Sequence, residues 1–299
     1  MQNIRERLIH IHRCQGISRR SLRKFFRYDP ELTKIYTLSP SELSQIFSLP
    51  MKKASLFYND LHNPHLAMQI KKDISTYSIV TIVDDHYPCM LKPIKDPPLV
   101  LYALGNIKLL QQTPTLSVVG TRFPSRNAKQ KTKYIIKPLL DYHWTIVSGM
   151  AKGIDSYAHE LALTYNSGTI AVLGGGFHHI YPRVNVPLFK QIVRKGLVLS
   201  EYAPDTPPRK YHFPERNRII SGLSFGTVVI EAAEKSGTLI TVDHALEQGR
   251  EVYAVPGSPL LSQTKGCHQL IQDGAKLVHV AEDIVEDWEN IGIHYKYLE

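Results

Sequence analysis

The sequence predicts an α/β fold, in which an extended, Rossmann-like, doubly wound and mostly parallel sheet is preceded by a small all-helical domain. From residue 116 onward, short apolar runs rich in β-branched residues recur at intervals of roughly 23–30 residues, with amphipathic stretches between them. Short buried strands that alternate with helices are typical of βαβ units, whose parallel sheet is covered on both faces. The predicted strands are Leu116–Val119, Trp144–Val147, Thr169–Leu173, Leu197–Leu199, Thr227–Ile230, Val252–Val255 and Lys276–Val280.

Five of the six stretches between these strands have apolar residues at helical spacing, which predicts a helix in each of the five. Together the strands and helices define a Rossmann-like domain over residues 111–288. The predicted helices are Ala128–Tyr142, Asp155–Tyr165, Leu188–Lys195, Thr241–Gln248 and Gln269–Asp273.

Residues 1–77 carry helix signals throughout. Ser18 is placed to cap a basic second helix, and Ser39 followed by Pro40 and Glu42 has the pattern of a capping box. Prolines then mark the starts of two more helices. We expect a small helical domain of the SAM or helical-hairpin type. Its basic second helix either contacts nucleic acid or forms a solvated face.

Residues 78–110 connect the two predicted domains. They contain one apolar strand, Ile79–Val83, followed by a run with four prolines, which favours extended and irregular backbone. The apolar side chains of this run indicate that it packs on the large domain. Residues 289–299 are predicted to form a C-terminal tail.

The composition favours a polyanionic partner. Lys and Arg outnumber Asp and Glu by 36 − 27 = 9 in 299 residues, and 43% hydrophobic residues suffice for a large core. A basic surface that only aids solubility is the alternative.

The three cysteines lie far apart and have no metal-ligand spacing, which predicts a reducing compartment without disulfides or a metal site. The N-terminus lacks the apolar core of a signal peptide, and no apolar run approaches the roughly 18 residues of a membrane span. We therefore expect a cytoplasmic protein with no membrane span. No motif indicates a cofactor.

Glycines, hydroxyls and cations follow the predicted strands. Ligands of a parallel sheet bind beyond the carboxyl ends of its strands, so these loops, here called the rim, are expected to form one site. Glycines let backbone N–H groups approach an anion, and helix N-termini add partial positive charge. The rim is predicted to bind phosphates, although any single glycine also fits a tight turn. Its loops are Gly120-Thr121-Arg122, Ser148–Asp155, Gly174–Gly176, Glu201-Tyr202 and Ser236-Gly237-Thr238.

Two familiar nucleotide signatures are absent from the sequence. Neither GxxxxGK[ST] nor GxGxxG follows a predicted strand, which argues against ATP hydrolysis and NAD chemistry. The strand-end carboxylates Glu201 and Glu231 allow two interpretations. They form an acid–base pair, or they accept hydrogen bonds from loop N–H groups or pair with Arg216 or Arg218. The second interpretation is favoured.

The stretch Arg209–Arg218, with the sequence RKYHFPERNR and here called the basic segment, combines four cations with two aromatic rings after a proline-rich turn. We expect it to be a loop. Cations neutralise phosphates and rings stack on unpaired bases, which together suit single-stranded nucleic acid of any sequence. A solvated basic connection is the alternative for this segment taken alone.

Ordered motifs over roughly residues 80–285 resemble those of the DNA-processing protein A family, also called DprA or Smf. The N-terminal helices match only in character. The motifs are Val118-Val119-Gly120-Thr121-Arg122, Val147–Asp155 with His159, Ala171–Gly176, Leu199–Tyr202, Phe213–Leu223, Ser236–Thr241, Gln248–Gly257 and Gly266-Cys267.

The resemblance implies a bacterial cytoplasmic protein that acts in natural transformation and homologous recombination. Members of the family bind and protect incoming single-stranded DNA, help to load the RecA recombinase while displacing single-strand binding protein, and usually act as homodimers. The resemblance implies binding rather than enzymatic activity. The family's DNA pocket, carried onto this sequence, involves Arg122, Lys210 and Phe213.

Three departures from the family pattern bear on function. Thr121 stands where many members have Ser, and it keeps the hydroxyl. Glu215 stands where a basic residue is frequent, so we expect it to weaken DNA binding or to pair with Arg216. The chain ends soon after residue 284, so we expect no winged-helix domain and no duplex binding through one.

Two other functions are considered. A nucleotide-processing hydrolase of the phosphoribohydrolase type would use the same rim, but its motif GGxGTxxE does not occur here. A protein-interaction scaffold would use the helical domain. The preferred function is DNA binding, with no catalytic residue. The predicted DNA contacts are Gly120, Thr121, Arg122, Ser148, Gly149, Lys152, Gly174, Gly175, Lys210, Phe213, Arg216, Asn217, Arg218, Ser236, Gly237 and Thr238.

Overall fold

Five α-helices form the N-terminal part of the chain, in a computed structural model that describes residues 3–292. The two helix starts expected from capping patterns are confirmed. The Ser18 hydroxyl accepts the N–H of Ser21 at 3.2 Å, and Glu42 accepts the N–H of Ser39 at 2.7 Å. The helices are α1 (Ile4–Arg13), α2 (Arg19–Tyr28), α3 (Pro40–Phe47), α4 (Met51–Leu61) and α5 (Pro64–Thr76).

These helices belong to the first of two compact units, which contains residues up to Tyr87 together with Pro98–Tyr102. Its core includes the ring of Phe25, whose centroid lies 4.5 Å from that of Phe47 and 5.2 Å from that of Phe57. Two strands follow the helices, β1 (Ser78–Thr81) and β2 (Val100–Gly105), and β2 continues from this unit into the second.

The second unit contains Pro88–Pro97 and the chain from Ala103 onward. Seven strands lie in it side by side in the order β6-β5-β4-β3-β7-β8-β9, and each neighbouring pair is parallel. Their side chains are almost all buried, as expected for a sheet covered on both faces. The strands are β3 (Thr115–Val119), β4 (Thr145–Ser148), β5 (Thr169–Leu173), β6 (Leu197–Ser200), β7 (Gly226–Val229), β8 (Glu251–Ala254) and β9 (Lys276–Leu277).

Helices cover both faces of this sheet. Leu116 and Val118 of β3 join an apolar cluster with Ile135. On the opposite face, the hydroxyl of Ser117 donates to the Ile220 carbonyl at 2.8 Å. The predicted doubly wound, Rossmann-like fold with a preceding helical domain is therefore confirmed. The helices are α6 (Ala128–Asp141), α7 (Ile154–Thr164), α8 (Val186–Lys195), α9 (His212–Gly222), α10 (Thr238–Glu247), α11 (Lys265–Gln272) and α12 (Glu282–Ile291).

The predicted C-terminal tail over residues 289–299 starts inside α12, and its residues 293–299 lie outside the described part of the chain. Trp288 of α12 packs against Trp144 at the start of β4, with 5.9 Å between ring centroids. This contact joins the last helix to the sheet. Within residues 3–292, every helix is too short or too polar to cross a membrane.

Candidate nucleic-acid interface

The loops of the rim follow the carboxyl ends of parallel strands and therefore lie at one edge of the sheet. β3 has β4 on one side and β7 on the other, so the strand order reverses at β3. Open α/β sheets bind ligands beyond the carboxyl ends of their strands at such a switch point. The loop that contains Arg122 follows β3 directly, and Glu231 comes shortly after β7.

Arg122 and Phe213 are brought together at this edge. The guanidinium carbon of Arg122 lies 5.9 Å from the centroid of the Phe213 ring, a distance typical of cation–π contacts. Arg122 is exposed and Phe213 is half-buried. A solvent-accessible cation thus stands beside an aromatic ring, the combination predicted for a phosphate and an unpaired base.

The expectation of a single loop over the basic segment is wrong, because α9 begins at His212. Pro214 lies in its first turn, where a missing N–H costs no intrahelical hydrogen bond. Arg209 and Lys210 precede the helix and are exposed. Of the four cations in the segment, these two remain on the surface.

Gly174 and Gly175 are buried beneath the chain that leads into α9. A Cβ atom on Gly174 would come within 2.9 Å of the Phe213 ring, and one on Gly175 within 3.0 Å of Pro208. The missing side chains let the basic segment and the turn before it lie on the loop after β5. In this structure the two glycines serve packing, rather than the predicted approach to an anion.

Arg216 is buried, and its guanidinium is bound inside the protein. It donates to the carbonyl oxygens of Gly149 and Val172 at 2.6 and 2.5 Å. Asp155 accepts the N–H of Gly149 at 3.2 Å, so this glycine is bonded through both its N–H and its C=O. Burial lowers the pKa of Arg216 to about 10, although the Asp155 charge opposes the shift. The DNA contact of Arg216 stays a prediction, and in this structure its donors hold the loop after β4.

Arg218 is buried as well and forms ion pairs. Its guanidinium lies 2.6 Å from the Glu201 carboxylate and 3.5 Å from that of Asp96. Burial opposes the charge, but these carboxylates raise the pKa of Arg218 above its usual value. The DNA contact of Arg218 also stays a prediction, and in this structure its guanidinium is paired inside the protein. Between the two arginines, the Asn217 amide oxygen accepts the Nε–H of Arg216 at 3.1 Å.

Glu231 is fully buried and holds the loop after β3. Its carboxylate accepts the N–H and the hydroxyl of Ser125 at 2.9 and 2.7 Å, and Lys131 lies 3.0 Å away. Glu201 is bound to Arg218. Both strand-end carboxylates thus have structural partners, which confirms the second interpretation of these residues.

The remaining predicted contacts after β3 and β4 differ in exposure. Thr121 and Ser148 are buried, and the Ser148 hydroxyl donates to a β3 carbonyl at 2.6 Å. Gly120 lies against Ile154 so closely that a Cβ would overlap it. Lys152 is exposed. Like Arg122, it is a cation that remains open to a phosphate.

The loop after β7 forms its own turn. The Ser236 hydroxyl donates to the Thr238 hydroxyl at 2.9 Å and accepts the Thr238 N–H at 3.2 Å, while Gly237 is exposed. Within residues 3–292, no hydrogen bond or ring contact joins this turn to Arg122 or Phe213. Ser236–Thr238 therefore follow the strand next to β3 without being bonded to the Arg122–Phe213 pair.

Glu215, the acidic departure from the family pattern, accepts a hydrogen bond from the Tyr202 hydroxyl at 2.9 Å. The Tyr202 ring stacks on His212, with 3.9 Å between centroids and 19° between planes. The carboxylate thus helps to fix the start of α9. The Nη1 group of Arg216 donates to two backbone carbonyls, not to Glu215.

Two residues at this edge were missed by sequence reasoning. The ring centroid of Tyr181 lies 5.5 Å from that of Phe213, and Tyr181 is half exposed. Asn185 donates its amide to the Met150 carbonyl at 2.8 Å and to Ser156 at 2.9 Å, which ties the loop after β5 to that after β4. The only available signal was their position after β5, since no motif marks them.

The sequence matches a family profile described as DNA recombination-mediator protein A over residues 78–289. It is 41% identical over 287 residues to the DNA processing protein DprA of Bacillus subtilis, which covers 94% of each chain. It is 44% identical over 232 residues to the protein of the same name from Streptococcus pneumoniae, covering 78% of this chain and 80% of that one.

Solved structures agree with the sequence relatives. The X-ray structure of DNA processing protein A from Streptococcus pneumoniae superposes with a TM-score of 0.81 at 37% identity, covering 94% of this chain and 96% of that one. DNA processing protein A from Helicobacter pylori, described for its single-stranded DNA binding mode, gives a TM-score of 0.64 at 30% identity, covering 72% and 96%. From the profile match and these relatives, the chain belongs to the DNA recombination-mediator protein A family.

Proposed function

We propose that this protein binds single-stranded DNA without sequence preference through Arg122, Lys210 and Phe213. The observation that carries the proposal is the exposed Arg122 guanidinium, 5.9 Å from the Phe213 ring centroid at the switch point of the sheet. Lys210 is exposed three residues before that ring. Arg122 and Lys210 neutralise phosphates, while Phe213 stacks on a base.

Seven other residues predicted to contact DNA have one of two roles in this proposal. Lys152, which is exposed, adds a further cation to the phosphate path. Ser148, Gly149, Gly174, Gly175, Arg216 and Arg218 keep the loops in place and do not touch DNA. Loops that are already rigid lose less conformational entropy when a strand binds, which raises affinity without additional contacts.

The cellular role follows from the family. Its profile is described as a recombination mediator, and the Helicobacter pylori relative is described by its single-stranded DNA binding mode. We propose that the protein works in the cytoplasm, protects incoming single-stranded DNA in natural transformation and helps to load the RecA recombinase in place of single-strand binding protein. We further propose that it acts as a homodimer.

A binding role is favoured over nucleotide hydrolysis because both strand-end carboxylates are engaged. Glu231 bonds to Ser125 and Lys131, and Glu201 pairs with Arg218. An acid–base pair needs carboxylates that can reach a substrate.

The proposal is tested by measuring oligonucleotide affinity as a function of salt for the intact protein, Arg122→Ala and Lys210→Ala. Each substitution should weaken binding to every sequence and reduce the slope of log affinity against log salt by about 0.7 for single strands. Phe213→Ala should cost about 1–3 kcal/mol of binding free energy.

A matched control is available on α8, where Arg194 and Lys190 are both exposed. The double variant Arg194→Ala/Lys190→Ala removes the same charges as Arg122→Ala/Lys210→Ala but lies outside the rim. It should retain nearly all affinity. If both double variants weaken binding equally, or if duplex and single strands bind equally well, the attraction is generic and the proposed site is wrong.

A further inference from the structure

We propose that Tyr181 and Phe123 extend Phe213 into a row of aromatic rings that takes consecutive unpaired bases of one strand. This inference rests on the proposed function, and it adds what makes the site select unpaired over paired nucleic acid. Phosphate-binding cations alone attract both forms. Rings require base faces that are free to stack.

Tyr181 lies beside Phe213 but cannot share a base with it. The ring centroids are 5.5 Å apart and the planes are tilted by 51°. A base held between two rings needs a separation of about 7 Å, twice the optimal carbon–carbon contact of ~3.5 Å. Tyr181 is 54% exposed, so its outer face is open. The two rings therefore present separate faces to separate bases.

Phe123 is the third ring of the proposed row, and it lies on the loop that carries the cation. It directly follows Arg122, whose guanidinium faces the Phe213 ring, and its side chain is 82% exposed. A phenylalanine so open to water packs against almost nothing in its own chain. The pairing of an exposed ring with an exposed cation is the arrangement that single-strand binding surfaces use for base and phosphate.

The loops that carry these rings are fixed before any ligand binds. The Phe123 loop is held at Ser125, which donates two hydrogen bonds to the buried Glu231. The Tyr181 loop is held at Asn185, which donates to the Met150 carbonyl and to Ser156. Rings on anchored loops lose little freedom when a base stacks on them, so most of the stacking energy appears as affinity.

The charge around the rings favours a nucleic-acid strand over an apolar protein segment. Arg122 stands next to Phe123 in the sequence, and Lys152 and Arg183 are exposed on the rim loop after β4 and on the Tyr181 loop. An apolar partner would have to strip water from these cations. A strand supplies a phosphate for each cation and a base for each ring.

The test compares an intact oligothymidylate with one whose central nucleotides are abasic, using the full-length protein. Phe123→Leu and Tyr181→Leu should each weaken binding of the intact strand by about fivefold or more. Binding of the abasic strand should change by less than about twofold, because no phosphate contact is lost, and the salt dependence should stay the same. Tyr181→Phe keeps the ring and should bind like the unmodified protein.

The control is Tyr142→Leu, which removes an equally open ring, 64% exposed, at the end of α6. It should leave both affinities unchanged. If Phe123→Leu and Tyr181→Leu leave the intact strand unaffected, or weaken intact and abasic strands alike, the rings do not stack on bases and the inference is overturned. Failure of the proposed function would look different. In that case the unmodified protein would show no preference for single strands that depends on Arg122.

Discussion

The two ends of the basic segment have similar composition and opposite environments. Arg209 and Lys210 are exposed ahead of α9, whereas Arg216 and Arg218 are only 5% and 3% exposed within it. The first pair offers charge to a ligand. The guanidinium groups of the second pair donate to backbone carbonyls and carboxylates of the protein itself. The difference teaches that burial, not the presence of a cation in a motif, decides which arginines can meet a phosphate.

Helical geometry explains the burial of Arg216. Once the chain turns helical at His212, residues four and eight positions further lie on the same face. That face carries His212, Arg216 and Ile220, and all three are buried. An arginine in such a position must find partners inside, because an unpaired buried charge is very costly.

The largest expected effect concerns Arg216. Arg216→Met leaves two buried carbonyls without their donor and removes the positive charge near the buried Asp155, so the second unit should lose about 3–5 kcal/mol of unfolding free energy. Urea unfolding followed by tryptophan fluorescence measures this unit directly, because both tryptophans of the chain, Trp144 and Trp288, lie in it.

The same substitution at the exposed end supplies the contrast. Lys210→Met should change the unfolding free energy by less than about 0.5 kcal/mol, because surface replacements away from special contacts rarely matter more. Should Arg216→Met prove as stable as Lys210→Met while losing DNA affinity, the assignment of the two ends would have to be reversed.

A smaller loss of unfolding free energy is expected when Arg218 is replaced, and a second substitution should restore it. Arg218→Met should cost about 3 kcal/mol because it leaves the buried Glu201 unpaired, while Asp96 is already partly solvated. Replacing both members of a buried pair by apolar side chains is often neutral, so Arg218→Met/Glu201→Leu should recover most of the loss. A double variant no more stable than the single one would mean that Arg218 acts through contacts other than Glu201.

The strands and the rim could be predicted from the sequence, but the burial of the arginines in the basic segment could not. β-branched runs located the strands, and glycine-rich strand ends located the rim, because both signals are local. Arg216 is bonded to carbonyls 67 and 44 residues away in the chain, so only the folded sheet reveals its partners. The charge of the sequence therefore predicted four cations at the site, whereas the structure leaves only Arg209 and Lys210 of the segment on the surface.

The predicted loop over the basic segment failed for a related reason. Its proline and mixed polar residues resemble a connection, yet Pro214 is tolerated in a first helical turn. The buried face of α9 combines a histidine and an arginine with isoleucine, which hides the apolar period that normally marks a helix. Tyr181 escaped notice because nothing in its loop distinguishes an exposed ring from a buried one.

The smallest expected effect is a pH dependence of folding that originates in the buried layer. His159 has no exposed surface, and burial, with a contribution from Arg216, lowers its pKa from 6.5 to about 3. In the unfolded chain it is protonated below about pH 6.5, so the stability it contributes is present above that pH and is lost as the pH falls. Between pH 7.0 and 5.5 the second unit should lose about 1 kcal/mol from this group.

The measurement is urea unfolding at the two pH values, with His65→Gln, on the exposed surface of α5, as the control that keeps the full pH dependence. His159→Gln should flatten it. Arg216→Met should leave the loss between pH 7.0 and 5.5 unchanged, because the folded-state pKa of His159 stays well below 5.5. When the titration is continued to lower pH, the loss should level off at a higher pH in this variant, because removing the neighbouring charge raises the pKa of His159. If the loss levels off at the same pH in both proteins, His159 does not sense the guanidinium of Arg216.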